Sequence, residues 1–72
     1  MEFIRVLVKG QSTLQVAVLV NGQKNGTTGQ VVTLGSPGWK FISVDLPNAR
    51  QRNVRVRNTT STFPMIIEIE VD

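Results

Sequence analysis

Four of the five arginines of this 72-residue chain stand close together in the sequence, at Arg50, Arg52, Arg55 and Arg57. A guanidinium group forms paired hydrogen bonds with phosphate, sulfate or carboxylate, so the cluster indicates an anion-binding surface. The only tryptophan, Trp39, lies shortly before it in the sequence. Aromatic rings beside basic side chains are typical of surfaces that bind single-stranded nucleic acid.

The same arginines also fit an ordinary charged surface. If the polar residues 58–64 close a hairpin, Arg55 lies opposite Glu68 and Asn53 lies opposite Glu70. Exposed cross-strand ion pairs of this kind contribute little to stability and need no ligand. On this interpretation we expect Arg55 and Arg57 to have glutamate neighbours, or a place on the outer sheet, and not to form a site.

The loop at residues 48–52 is predicted to lie outside that pairing, which leaves Arg50 and Arg52 without a partner and makes them the better anion-binding candidates. Trp39 has two interpretations, a platform on which a sugar or base stacks and the largest core side chain. In so small a domain we expect Trp39 to be packed in the core. The candidate ligand-binding residues are Trp39, Asn48, Arg50, Arg52, Arg55 and Arg57.

Catalysis is disfavoured by what the chain lacks. It has no histidine and no cysteine, the usual general base and the usual thiolate nucleophile or metal ligand. Glu68, Glu70 and Asp72 alternate along one strand-like run, which predicts a solvated acidic stripe or, as the alternative, a weak calcium site. We therefore expect no enzyme activity, no cofactor and no built metal site.

Composition sets the remaining bounds. The length predicts one domain, residues 1–72, near the lower limit for a self-sufficient core. The net charge of +3 favours anionic partners, although only 18% of the residues are charged. No apolar run is long enough to span a bilayer, and the alternating N-terminus does not resemble a signal peptide. We expect a soluble protein without a membrane partner, of undetermined location.

Strand-like alternation runs through the whole chain, with glycine and proline between the runs and no helical period. We predict about six short strands and an all-β fold, a small antiparallel β-sandwich that is jelly-roll-like or a partly closed barrel. Ile4, Val6 and Val8 are predicted to face the core. The same face is predicted for Val54, Val56, Ile67 and Ile69.

Two Asn-Gly pairs, Asn21-Gly22 and Asn25-Gly26, are candidates for a tight hairpin turn, because both residue types tolerate positive φ. A turn at Asn25-Gly26 pairs Val20 with Val31 and Leu19 with Val32, whereas a turn at Asn21-Gly22 sets Val16 near threonines. We therefore predict the hairpin at Asn25-Gly26.

Alternation along the predicted strands also places apolar residues on a second face. Six short strands cannot cover both faces of each sheet, and an exposed apolar patch usually marks an interface. We expect a homo-oligomer that forms through this face. Its residues are Phe3, Leu7, Ala17, Leu19, Val32, Leu34, Trp39 and Phe41.

The second half of the chain resembles a known family. GWKFISVDLP, then NVRVRNTT and a closing IIEIEVD, is similar to the C-terminal half of galactose-binding-like β-sandwiches, the carbohydrate-binding modules. The resemblance covers residues 38–72. Those modules are longer, and their acidic or aromatic sugar contacts have no match here residue by residue. The resemblance implies a β-sandwich and a glycan ligand.

Three hypotheses follow. The first is a non-catalytic binding module whose ligand is a carbohydrate or another anionic ligand. The second is a structural or assembly subunit of a homo-oligomer or virion. The third, less favoured from the sequence, is weak binding of nucleic acid or another polyanion through the arginine-rich loop and strand.

Overall fold

The computed structural model describes residues 1–72 as seven β-strands joined by short connections, with no helix. The all-β prediction is confirmed, and the strand count exceeds the predicted six because residues 23–27 form a strand of their own. No helix is present that could cross a membrane. The strands are β1 (Glu2–Val8), β2 (Ala17–Val20), β3 (Gln23–Thr27), β4 (Val31–Leu34), β5 (Gly38–Val44), β6 (Arg52–Val56) and β7 (Met65–Ile69).

The strands form two sheets. One has three strands in the order β4-β1-β7, and the other has four in the order β3-β2-β5-β6. The sheets stay separate, so the prediction of a partly closed barrel is wrong, and the arrangement is sandwich-like. The purely antiparallel prediction is also wrong, because β1 and β7 pair in parallel, with Val6 beside Ile67. The jelly-roll part of the prediction stays a prediction.

One apolar core lies between the sheets, built by period-two alternation. In β1, Ile4, Val6 and Val8 are buried while Arg5 is exposed, as predicted. Isoleucine and valine dominate the core because branched side chains pack well on a pleated surface. The other buried apolar residues are Val18, Val32, Leu34, Ile42, Val44, Val54, Val56, Ile67 and Ile69.

The first hairpin turns at Asn21-Gly22, so the predicted turn at Asn25-Gly26 is wrong. Asn21 and Gly22 have φ angles of 50° and 82°, and Val20 pairs with Gln23. The prediction is wrong because it assumes that Val32 pairs with an apolar residue of the same hairpin. Val32 instead pairs with Ile4 of β1, in the three-stranded sheet.

The single second apolar face does not exist as predicted. Val32 and Leu34 are buried in the core, because β4 belongs to the three-stranded sheet and not to the hairpin. Phe3 and Leu7 belong to β1 of that sheet, on the side facing away from the core. The remaining members, Ala17, Leu19, Trp39 and Phe41, alternate with the core residues of β2 and β5 in the four-stranded sheet.

Candidate ligand-binding face

Two aromatic rings lie on the solvent side of β5. Trp39 is 63% exposed and Phe41 is 49% exposed, although aromatic side chains bury large apolar areas when they pack in a core. The prediction that Trp39 packs in the core is therefore wrong. Alternation explains the outcome, because Ile42 and Val44 of the same strand face the core and are almost completely buried.

Strand β6 places basic and amide side chains beside these rings. β5 and β6 are antiparallel neighbours, with Trp39 paired to Arg55 and Phe41 paired to Asn53. Side chains of paired residues share a face and lie about 5 Å apart at Cβ. Arg57 continues the alternation beyond the end of β6 and is exposed. We call Trp39, Phe41, Arg55 and Arg57 the aromatic-arginine face.

The expected glutamate neighbours of Arg55 and Arg57 are absent. β6 and β7 belong to different sheets, so residues 58–64 form a crossover and no β6–β7 hairpin exists. No carboxylate lies within ion-pair distance of either guanidinium. The ion-pairing interpretation of Arg55 and Arg57 is wrong, and both groups are available to solvent.

A hydrogen-bonded clasp fixes the crossover just after Arg57. The Thr59 hydroxyl donates to Glu2 Oε1 over 2.5 Å and accepts from the Phe3 backbone N–H over 2.7 Å. The Thr59 backbone N–H donates to the same carboxylate over 2.9 Å. These bonds, the hydroxyl bond first, hold the pKa of Glu2 below its usual value. The clasp ties the crossover to β1 of the three-stranded sheet, two residues after Arg57.

Residues 48–52, which we call the edge loop and which end at the first residue of β6, pair with residues 70–72, just beyond the end of β7. The Arg50 N–H donates to the Glu70 carbonyl over 2.8 Å, and the Asp72 N–H donates to the Asn48 carbonyl over 3.1 Å. Asn48 itself adopts a φ of 63°. An uncovered edge strand presents unpaired backbone groups to other chains. The edge loop thus has a structural role, which is to pair with the segment that follows β7.

The side chains of the edge loop also have partners, so the prediction that Arg50 and Arg52 lack them is wrong. Arg50 Nε donates to Asp72 Oδ1 over 3.0 Å, and its Nη1 lies 3.8 Å from Glu70 Oε2. The hydrogen bond to Asp72 raises the pKa of Arg50, and both carboxylates add to the effect. Arg52 Nη1 donates to the Glu68 carbonyl over 3.2 Å.

An open cleft of about 430 Å³ lies beside the edge loop. Its lining alternates in charge, since Lys9 pairs with Glu70 over 3.1 Å and Arg50 binds both Glu70 and Asp72. With three basic and two acidic side chains, the lining has an excess of only one positive charge, and no apolar residue contributes to it. The lining residues are Lys9, Arg50, Gln51, Arg52, Glu68 and Glu70.

Two carboxylates of the predicted acidic stripe take part in these ion pairs, and both lie just beyond β7. Glu70 and Asp72 are both bound by basic side chains, and the chain contains no group of three carboxylates placed to hold a metal ion. The candidate residues therefore divide between two places. Trp39, Arg55 and Arg57 lie on the aromatic-arginine face, whereas Asn48, Arg50 and Arg52 lie beside residues 68–72.

Phe41 of the face and its neighbour Asn53 are not among the sequence candidates. From the sequence, Phe41 is predicted to lie on the second apolar face, and Asn53 is predicted to lie opposite a glutamate of the last strand. A β5–β6 hairpin register would have found both, because it sets Phe41 beside Asn53 on the side opposite Val54. Comparisons with protein-family models, with curated proteins and with solved structures found no match to this chain.

Proposed function

We propose that this protein is a non-catalytic binding module and that its ligand lies on the aromatic-arginine face. The observation that carries the proposal is the exposure of Trp39 and Phe41, at 63% and 49%, beside an unpaired Arg55. Exposing two large rings on one strand costs apolar burial that a core position would have gained. A ligand that stacks on the rings recovers that burial.

A glycan and a nucleic acid both present flat faces that stack on aromatic rings. The resemblance of residues 38–72 to carbohydrate-binding modules supports a glycan, with Trp39 as the platform. The unpaired Arg55 and Arg57 support an anionic ligand, because guanidinium groups bind phosphate and sulfate through paired hydrogen bonds. Both ligand classes use the same face, so one experiment can test the face before the ligand is known.

The emission of Trp39 reports directly on the face, because the chain has one tryptophan. We expect a saturable change in this emission when the protein is titrated with at least one of three probes. The probes are a neutral oligosaccharide mixture, heparin oligosaccharides and short oligothymidylates. Phe41→Ala is expected to weaken the response by about 5- to 100-fold if the second ring stacks on the ligand.

Phe63→Ala is the matched control, because Phe63 is also exposed, at 78%, but lies in the crossover between the sheets. This variant is expected to bind like the unaltered protein. A flat emission signal with all three probes would remove the proposal. Equal losses in the Phe41→Ala and Phe63→Ala variants would do the same, because binding would then follow general hydrophobicity and not this face.

The exposed rings also favour a second candidate function, assembly with further copies of the chain. Contiguous exposed apolar side chains mark protein interfaces as well as ligand sites. If the rings form a subunit interface, sedimentation equilibrium shows a dimer or larger species that Trp39→Ala converts to monomer. A monomer at high micromolar concentration contradicts this candidate and leaves the face free for a ligand.

A further inference from the structure

The cations of the aromatic-arginine face carry charge that nothing in the chain balances. Among the basic residues, the ion pairs engage only Lys9, Lys24 and Arg50. Arg55 and Arg57 have no such partner, and the chain carries a net charge of +3. The carboxylate nearest the far end of β5, Asp45, is itself paired with Lys24 over 3.4 Å. The face therefore favours an anionic ligand over a neutral one.

The spacing of the rings restricts the shape of that ligand. Trp39 and Phe41 are two residues apart on one strand, so their Cα atoms lie about 6.5–7 Å apart. One strand of a stacked duplex rises only about 3.4 Å per nucleotide. The two rings thus fit bases that have been drawn apart, as in an extended single strand, and a duplex hides its base faces altogether.

The edge position of β6 allows the phosphate backbone of a bound chain to run along this strand. β6 is the last strand of its sheet, with β5 on one side and no strand on the other. Arg55 and Arg57 therefore line the rim, while the rings lie one strand further in. A chain whose phosphates follow the rim can place its bases over β5. The Asn53 amide lies beside Phe41, makes no hydrogen bond within the chain and is free to bind a base edge.

From these features we propose that the ligand of the aromatic-arginine face is single-stranded nucleic acid, with two bases stacked on Trp39 and Phe41 and two phosphates bound by Arg55 and Arg57. This inference rests on the proposed function, since it names the ligand of the same face. It reverses the order of the ligand hypotheses drawn from the sequence, which place a glycan first. The reversal follows from the missing glutamate partners of the two arginines.

The experiment measures fluorescence anisotropy of a short labelled oligothymidylate at several salt concentrations. Binding through two phosphates predicts a slope of log affinity against log salt near −1.4, at about 0.7 for each phosphate. Arg55→Ala and Arg57→Ala are each expected to reduce the slope by about 0.7. Trp39→Ala is expected to lower affinity by about 5- to 100-fold while leaving the slope unchanged.

Two variants serve as matched controls. Arg5→Ala removes one unpaired cation from the three-stranded sheet, on the opposite side of the molecule, and is expected to leave the slope unchanged. Phe63→Ala removes an exposed ring outside the face and is expected to bind normally. Circular dichroism of each variant confirms that a loss of binding does not come from unfolding.

Three results would overturn the inference, each in a different way. Binding of a neutral oligosaccharide without binding of oligothymidylate would keep the proposed function and change the ligand class. Equal binding of heparin or duplex DNA, unaffected by Trp39→Ala, would show general attraction of polyanions without base stacking. Absence of binding by every probe would remove the inference and the proposed function together.

Discussion

Replacing Gly26 by alanine is expected to lower the free energy of unfolding by about 2–5 kcal/mol. Gly26 has a φ of 76°, a left-handed conformation that costs an L residue about 1–2 kcal/mol. A Cβ atom at this position would lie 2.7 Å from Cγ2 of Val32, a buried core side chain. Overpacking of a core typically adds about 1–3 kcal/mol.

Gly22→Ala is the matched control for that prediction. Gly22 has nearly the same φ, 82°, but a Cβ atom there would meet no heavy atom within 4 Å. This variant is expected to show the backbone cost alone, about 1–2 kcal/mol. Chemical denaturation of both variants measures the difference. Equal losses would mean that Val32 moves aside freely and that the close approach of β3 to the core has no energetic weight.

Replacing Thr28 by valine is expected to lower the free energy of unfolding by about 2–6 kcal/mol, although the two side chains have nearly the same shape. Thr28 is the one buried polar residue of the chain. Its hydroxyl donates to the Leu14 carbonyl over 2.6 Å and accepts from the Val16 N–H over 3.0 Å. Each backbone group left without its partner costs about 1–3 kcal/mol where it is buried.

Thr33→Val tests whether the hydroxyl contacts are the cause. Thr33 lies exposed on β4 and its hydroxyl makes no hydrogen bond, so this variant is expected to stay within about 0.5 kcal/mol of the parent. Hydrogen exchange provides the local measurement, since the Val16 amide should exchange faster in Thr28→Val. An unchanged Val16 amide together with unchanged stability would show that Thr28 does not organise residues 14–16.

Alternation along β1, β6 and β7 is sufficient to predict the core residues that these strands supply. Val54, Val56, Ile67 and Ile69 are buried as predicted, because a period of two leaves a strand only two ways to face. The same rule is ambiguous in β5, where both faces are partly apolar. There the size of Trp39 favours an inward position, yet the smaller Ile42 and Val44 occupy the core.

Strand pairing could not be predicted from local pattern. Val32 and Leu34 are apolar in either sheet, so nothing in their own sequence shows that β4 joins β1 instead of β2. The Asn21-Gly22 hairpin places threonines near Val16. Thr28 does not pack against the Val16 side chain there but accepts a hydrogen bond from the Val16 backbone N–H. A side-chain hydroxyl that bonds backbone groups in place of a neighbouring strand leaves no periodic pattern in the sequence.

The candidate site differs from the predicted one for the same reason. Its residue types were predictable, since arginines and a tryptophan near one another are visible in the sequence. Which arginines lack an ion-pair partner depends on how distant segments of the chain pair in the fold. Arg50 is bound by Asp72 at the end of the chain, whereas Arg55 lies beside Trp39 instead of Glu68.

The central claim, that ligand binds the aromatic-arginine face and not the edge loop, is tested most directly by mapping amide chemical shifts. Uniformly labelled protein titrated with oligothymidylate is expected to show its largest changes at Trp39, Phe41, Asn53 and Arg55. The indole N–H of Trp39 is expected to move with them. Changes confined to residues 48–52 and the facing residues 70–72, or no changes at all, would contradict the claim.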